Sequence, residues 1–271
     1  MSLKHLLVHL DASPRATERL DLAVTVARRS GARLTGLFAE SGQAGPGIAD
    51  KREPATLAAD EARARAAFEE RTRAAGLATD WWKVPGTDWS EVVGWTVVCC
   101  RYADLAFLGQ HEEAGGRTPG EMIEAVLHES GRPLVVVPAV GHYPDVGSRV
   151  LVAWTGSRES ARALNDAMPF LVGAREVEVL SIQRAGTGVE ASVPPVDVVA
   201  HLAAHGVKAR YERLVLDEMK VVDHVLNRAS DKGADLTVIG GYTHRGFPYL
   251  QRSSTTHDIL RTMTTPVLLS R

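Results

Sequence analysis

Cysteine is scarce in this 271-residue chain. It has two, Cys99 and Cys100, adjacent in a helix-like stretch among Val97, Val98 and Tyr102. Neighbouring cysteines rarely bridge and make a poor metal pair. A disulfide framework is therefore excluded, and buried small apolar residues in a reducing cytoplasm are the expected role. No run approaches the ~18 apolar residues of a membrane span, and the chain enters a strand-like LLVHL without a signal-type apolar stretch, so the expected location is the cytoplasm. Charge of one sign is not in excess either: 31 Lys and Arg stand against 33 Asp and Glu, a net charge of −2. Residues 1–140 carry 16 basic and 19 acidic side chains and residues 141–271 carry 15 and 14. No global field draws the chain to nucleic acid or to an anionic membrane. The familiar enzyme signatures G-x-x-x-x-G-K-[ST], G-x-S-x-G, H-E-x-x-H and C-x-x-C are missing, which predicts no catalytic residue and no metal site. His201 and His205, four apart, share a helix face but have no third ligand nearby and read as surface residues.

With 45% hydrophobic and 24% charged residues, the chain can build one large core or two small ones. Its order of elements is regular. An apolar strand, Lys4 to Leu10, ends at Asp11-Ala12-Ser13-Pro14, where Ser13 reads as an N-cap and Pro14 as the first residue of a helix running to about Ser30, stopped by Gly31. Strand Arg33 to Ala39, a loop-like segment 41–54 and an Ala/Arg/Glu-rich helix Ala55 to Ala75 follow. Then come strand Asp80 to Val84, helix Ser90 to Tyr102, strand Leu105 to Leu108, helix Gly120 to Ser130 and strand Leu134 to Val137. Alternation of this kind predicts an α/β fold, a parallel sheet with helices on both faces.

The pattern then restarts. VLVAWTGSRESARAL (Val150 to Leu164) falls on LLVHLDASPRATERL (Leu6 to Leu20) at an offset of 144. ADLTVIGG (Ala234 to Gly241) falls on ADLAFLGQ (Ala103 to Gln110) at 131, and TPVLLSR (Thr265 to Arg271) on RPLVVVP (Arg132 to Pro138) at 133. The fall from 144 to 131 makes the first copy 13 residues longer between its first and fourth strands. Two copies of one α/β domain are expected, 1–140 and 148–271, joined by a linker at 141–147. The second copy reads as strand Arg149 to Trp154, helix Glu159 to Leu171, strand Glu176 to Ile182, a loop at 185–195 and a short helix near Val196 to His205. Strand Lys208 to Val215 and helix Val221 to Lys232 precede the closing stretch.

That stretch, 234–271, carries the chemistry. An apolar run ends in Gly240-Gly241, a polar loop follows, and a hydroxyl cluster, Ser253 to Thr256, opens an amphipathic helix before strand Val267 to Leu269. Glycines let backbone approach an anion, and a helix N-terminus offers free N–H groups and a positive dipole end. Thr255 with Asp258 is also a capping box, a structural reason for part of the cluster. His244, Arg245 and Arg252 would add positive charge near a phosphate or stand as solvated loop residues. Asp11 lies where open α/β sheets bind ligands, or is a loop acid. Trp154, at the matching strand end, could stack on a base or pack on the sheet edge. Trp81, Trp82, Trp89 and Trp95 suggest core or a buried contact.

Strand ending in an acid, strand–glycine loop–helix–strand closure and tandem duplication together resemble the universal stress protein family over essentially the whole chain, closest to the bacterial tandem type. The resemblance implies two tandem flavodoxin-like (adenine nucleotide alpha hydrolase-like) domains, each with a five-stranded parallel sheet. It implies an intramolecular pseudo-dimer through the final strands, a possible homodimer, a protein partner, and no nucleic-acid or membrane partner. It also implies a stress-response binding role without catalysis, and ATP or another adenine nucleotide, with Mg²⁺ if a triphosphate, held by an acid after the first strand and a Gly-x2-Gly-x9-Gly-Ser/Thr loop after the fourth. In the second copy Gly240 matches the first glycine, Thr243 and Ser253 replace the second and third, Ser254 matches the hydroxyl and Thr155 replaces the acid. Gly240, Gly241, Thr243, Ser253, Ser254, Thr255, Thr155 and Gly156 are the candidate nucleotide or phosphate residues. In the first copy Asp11, Ser13 and Gly109 are weaker candidates, because Glu112 and Glu121 bring negative charge to the corresponding loop. The alternative is a structural or interaction protein that binds no nucleotide.

Overall fold

A computed structural model describes residues 2–42, 53–84, 88–112, 117–184, 197–216, 220–241 and 255–271. The chain packs as two units, Ser2–Asp145 and Val146–Arg271. The first unit contains β1 (His5–Leu10), α1 (Arg15–Ser30), β2 (Arg33–Phe38), α2 (Pro54–Ala74), β3 (Thr79–Lys83), α3 (Trp89–Cys100), β4 (Leu105–Gly109), α4 (Met122–Glu129) and β5 (Leu134–Val137). Its strands lie in the order β3-β2-β1-β4-β5, with every neighbour parallel. Every residue of β4 and β5 is buried, as a strand must be when helices cover both faces. Gly31 ends α1 in the left-handed conformation at φ 61°, its N–H reaching the last turn.

The second unit contains β6 (Arg149–Ala153), α5 (Arg158–Asp166), α6 (Met168–Leu171), β7 (Glu176–Arg184), α7 (Val198–Ala204), β8 (Ala209–Leu216), α8 (Val221–Lys232), β9 (Leu236–Gly240), α9 (Thr255–Thr262) and β10 (Val267–Ser270). The order β8-β7-β6-β9-β10 repeats that of the first unit, again with parallel neighbours. In both units the connections run to opposite sides of the first strand. The crevice therefore opens at the carboxyl ends of β1 and β4, and of β6 and β9.

The repeated Ala-Asp-Leu has a structural cause. Asp104 accepts the backbone N–H groups of Lys4 and His5 at 2.8 and 3.0 Å. Asp235 does the same for Gly147, Ser148 and Arg149 at 2.7 to 3.1 Å. Each carboxylate ties the start of its unit's first strand to the start of the fourth.

Three expectations need correction. Ser13 does not cap α1: its hydroxyl donates to Asp11, and Pro14 precedes the helix in helical conformation. The helix expected over Glu159 to Leu171 is two, because Pro169 has no N–H for the carbonyl of Asn165 and its ring crowds the preceding turn. Thr255 and Asp258 both lie in α9, and the residues before Thr255 lie outside the described residues. Among the tryptophans Trp89 is buried and Trp81 packs on Phe68 at 5.5 Å, but Trp95 is 46% exposed on α3. The loop-like stretches 41–54 and 185–195 lie largely outside the described residues.

Candidate functional site

In the first unit the crevice is filled from within. Arg19 lies one turn into α1 and is 2% exposed. Its Nε donates to the His9 carbonyl at 2.6 Å and its Nη2 to Asp11 Oδ2 at 3.0 Å. A Cβ on Gly109 would run into Nη1 of the same guanidinium. Gly109 is thus the seat of an internal cation. Asp11 is 3% exposed, and its Oδ1 accepts the N–H and hydroxyl of Ser13 at 2.9 and 2.5 Å. Burial alone would raise its pKa, but Arg19, then His9 and Ser13, outweigh burial and hold it at about 2.

Three further side chains close the space. Glu40, at the end of β2, accepts the Ala12 N–H through Oε2 and Arg117 through Oε1, both at 2.8 Å. Arg15 donates to the carbonyls of Gly141 and Pro138 at 2.9 Å. What remains between Ser13, Arg19, Gly109, Glu112, Arg117 and Thr118 is about 10 Å³, room for roughly one water and not for a phosphate group. On the other side of the β1–α1 turn a cleft of about 270 Å³ lies between α1 and α2, lined among others by Asp11, Ser13, Thr17, Asp60 and Arg63.

His9 completes this cluster. It is fully buried, and its Nε2 meets the Ala39 carbonyl at 2.8 Å, which assigns the ring proton to Nε2. Its Nδ1 has no hydrogen-bond partner and stands 3.8 Å from Asp11 Oδ2. Burial first, and then Arg19, hold its pKa at about 4 against the opposing pull of Asp11 and the Ala39 carbonyl. At neutral pH the His9–Asp11 contact is therefore not an ion pair.

The second unit is built on the same turn with different side chains. Thr155 stands at the position of Asp11, its Oγ1 accepting the Ser157 N–H at 3.3 Å, with Gly156 at φ 71° between them. Ser157 caps α5 by accepting the Ser160 N–H at 3.2 Å. The position of Arg19 is held by the buried Ala163, which cannot reach across the crevice. The first turn of α5 comes close instead: a Cβ on Gly240 would stand 2.5 Å from the Ser160 nitrogen and 2.6 Å from the Glu159 carbonyl carbon. Gly240 is a glycine because backbone passes over it. Gly241 donates its N–H to the Ser270 carbonyl at 2.8 Å.

One residue here was not anticipated. Glu159 lies in the first turn of α5, and its carboxyl is held low by its own backbone N–H foremost, with Ser157 and Arg158 adding to this against burial. It is an acid brought to the crevice by a helix and not by the glycine loop. Of the sequence-derived candidates, the structure places Thr155, Gly156, Gly240 and Gly241 at the carboxyl ends of β6 and β9, and Thr255 at the start of α9. Thr243, Ser253 and Ser254, with His244, Arg245 and Arg252, lie outside the described residues. Among the described residues no three His, Cys, Asp or Glu side chains cluster as metal ligands, and no helix is long and apolar enough to cross a membrane.

In the first unit a universal-stress-type nucleotide, with Mg²⁺ if a triphosphate, would find no room for its phosphates beside Gly109, where Arg19 holds the glycine seat and Glu112 lines the remainder. In the second unit Thr155, Gly156, Gly240 and Thr255 would lie along such a ligand, with Glu159 opposing its charge.

No protein-family model matches the chain, and no curated protein matches it. Solved structures do. A universal stress protein from Archaeoglobus fulgidus superposes with a TM-score of 0.70 at 16% identity, covering 100% of this chain and 97% of that one. A functionally unknown protein from Pseudomonas aeruginosa gives 0.61 at 14% identity, covering 99% and 92%. The chain has the fold of a universal stress protein over its full two-unit length.

Proposed function

We propose that this chain, folded as a universal stress protein, acts as a tandem member of that family: a non-enzymatic, cytoplasmic stress-response module whose second unit holds a phosphate-bearing ligand and whose first unit is structural. An adenine nucleotide, with Mg²⁺ if a triphosphate, is the first choice of ligand. The observation that carries this reading is the exchange of Arg19 for Ala163. The first unit supplies its own cation to the crevice and fills it, whereas at the matching place the second has a methyl group. Without an internal cation, the place of the guanidinium is left to an external anion.

The experiment is thermal melting with ATP, ADP, AMP and pyrophosphate, each with and without Mg²⁺. A ligand at 100 times its Kd adds about 2.7 kcal/mol, which is readily seen as a rise in melting temperature. A rise with at least one of the four is expected, with no phosphate release from ATP. No rise with any of them overturns the reading. A second reading, a chain that binds no nucleotide and acts through protein partners, is favoured by one observation: Glu159 already places a carboxylate at the N-terminus of α5.

A further inference from the structure

The two sheet edges β3 and β8 are matching strands of the repeat, yet they are built differently. Strand β3 has five residues; the 21-residue α2 packs over the adjoining β2, and charges at both ends of β3 are paired, Asp80 with Arg33 and Lys83 with Glu61. A short, charged edge of that kind resists pairing with another strand. Strand β8 has eight residues, without proline or glycine, and its companion helix α7 has seven. Its odd-numbered face is consequently left open: Tyr211 is 46% and Val215 59% exposed, and Arg213 lies exposed between them. Parallel pairing with β7 satisfies one side of β8, and among the described residues no strand pairs with the other.

We infer that the free edge of β8 is a homodimer surface, on which β8 of a second copy pairs antiparallel about a two-fold axis at Tyr211. Symmetry and charge select this register. Two identical antiparallel strands meet with residues of equal parity opposite one another, so the residue on the axis fixes every other pair. An axis at Arg210, Glu212 or Arg213 sets like charges face to face, which is destabilising, an axis at Ala209 sets Arg210 against Lys208, and an axis at Leu214, Val215 or Leu216 brings no opposite charges together within β8. With Tyr211 on the axis, Arg210 faces Glu212 of the second copy and Glu212 faces its Arg210, while Tyr211 packs on Tyr211. Glu212 already pairs with Arg228, which also holds Glu178, so the Arg210 pairs act chiefly in setting register. The backbone N–H and C=O groups of both edges and the two tyrosines supply the attraction.

Sedimentation and disulfide trapping test this on the full chain. Wild type is expected to be dimeric, and Tyr211→Lys, an edge lysine, to raise the dimer Kd at least about tenfold with the melting profile of each unit retained. Under mild oxidation Tyr211→Cys should form a covalent dimer. Arg213→Cys should not, because its counterpart stands four residues away along the strand, roughly 14 Å. Wild type, with its buried Cys100 and half-buried Cys99, is the oxidation control. A monomeric wild type, a dimer indifferent to Tyr211→Lys, or equal trapping at 213 and 211 overturns the inference.

Discussion

Arg19 and Asp11 meet at 3.0 Å with side chains 2% and 1% exposed, a charge pair sealed inside the crevice that the fold reserves for ligands. Neither charge tolerates burial alone. Arg19→Ala should destabilise the first unit by about 3–5 kcal/mol in urea unfolding, because it strands a carboxylate. Asp11→Asn should cost less, since Ser13 and the His9 carbonyl retain partners, and the double variant should cost well under the sum of the two singles. Strict additivity would mean that the pair is not coupled.

Acid should reveal the same cluster. The folded chain keeps His9 neutral down to about pH 4, whereas the unfolded chain protonates it near 6.5. The stability that neutral His9 contributes is therefore complete above pH 6.5 and is lost as pH falls towards 4. Asp11 is depressed from 3.8 to about 2, so its contribution holds above 3.8 and is lost between 3.8 and 2. Unfolding free energy measured against pH should decline in these two stages, by a few kcal/mol in all. His9→Gln, which can still donate to the Ala39 carbonyl, should remove the first stage. A profile flat from pH 7 to 4.5 would contradict the burial of a neutral histidine.

Two glycines should respond in opposite senses. At Gly240 a methyl group meets the backbone of α5 at 2.5 Å, and backbone cannot swing aside, so Gly240→Ala should lower stability by about 1–3 kcal/mol. At Gly94, exposed within α3, a methyl group meets nothing within 4 Å, and Gly94→Ala should raise stability by about 0.5–1 kcal/mol. Chemical denaturation of both variants checks the sign.

The strands and most helices were legible because parallel strands covered on both faces are apolar throughout, and because the repeat supplied each element twice. The filled crevice is legible too. Ala16, Arg19, Leu20, Ala23, Val26 and Ala27 follow the i, i+3, i+4, i+7 spacing of a buried stripe, and all are buried. An arginine on that stripe needs a buried acid, and Asp11, eight residues before it at the end of β1, is that acid. Glu159 is not legible in this way: the opposing acid comes from a helix brought over Gly240 by the fold, and not from the glycine loop. Pro169 was visible, but the hydrophobic period carried past it.

Glu159 should govern the strength of anion binding in the second unit. Glu159→Gln keeps the shape of the α5 N-terminus and removes its charge, so pyrophosphate should bind about 5- to 10-fold more tightly by calorimetry, with the effect shrinking at high salt. Unchanged affinity would place the anion elsewhere.

The proposal that the second unit binds a ligand and the first does not is tested most directly by the number of ligands bound per chain. Isothermal titration of the full chain with the nucleotide that raises its melting temperature should give one ligand per chain. Binding should be abolished by Ser254→Asp in the second-unit loop and unchanged by Gly109→Ala, provided that the variant remains folded. Two ligands per chain, or one whose binding survives Ser254→Asp and is lost with Gly109→Ala, would contradict it.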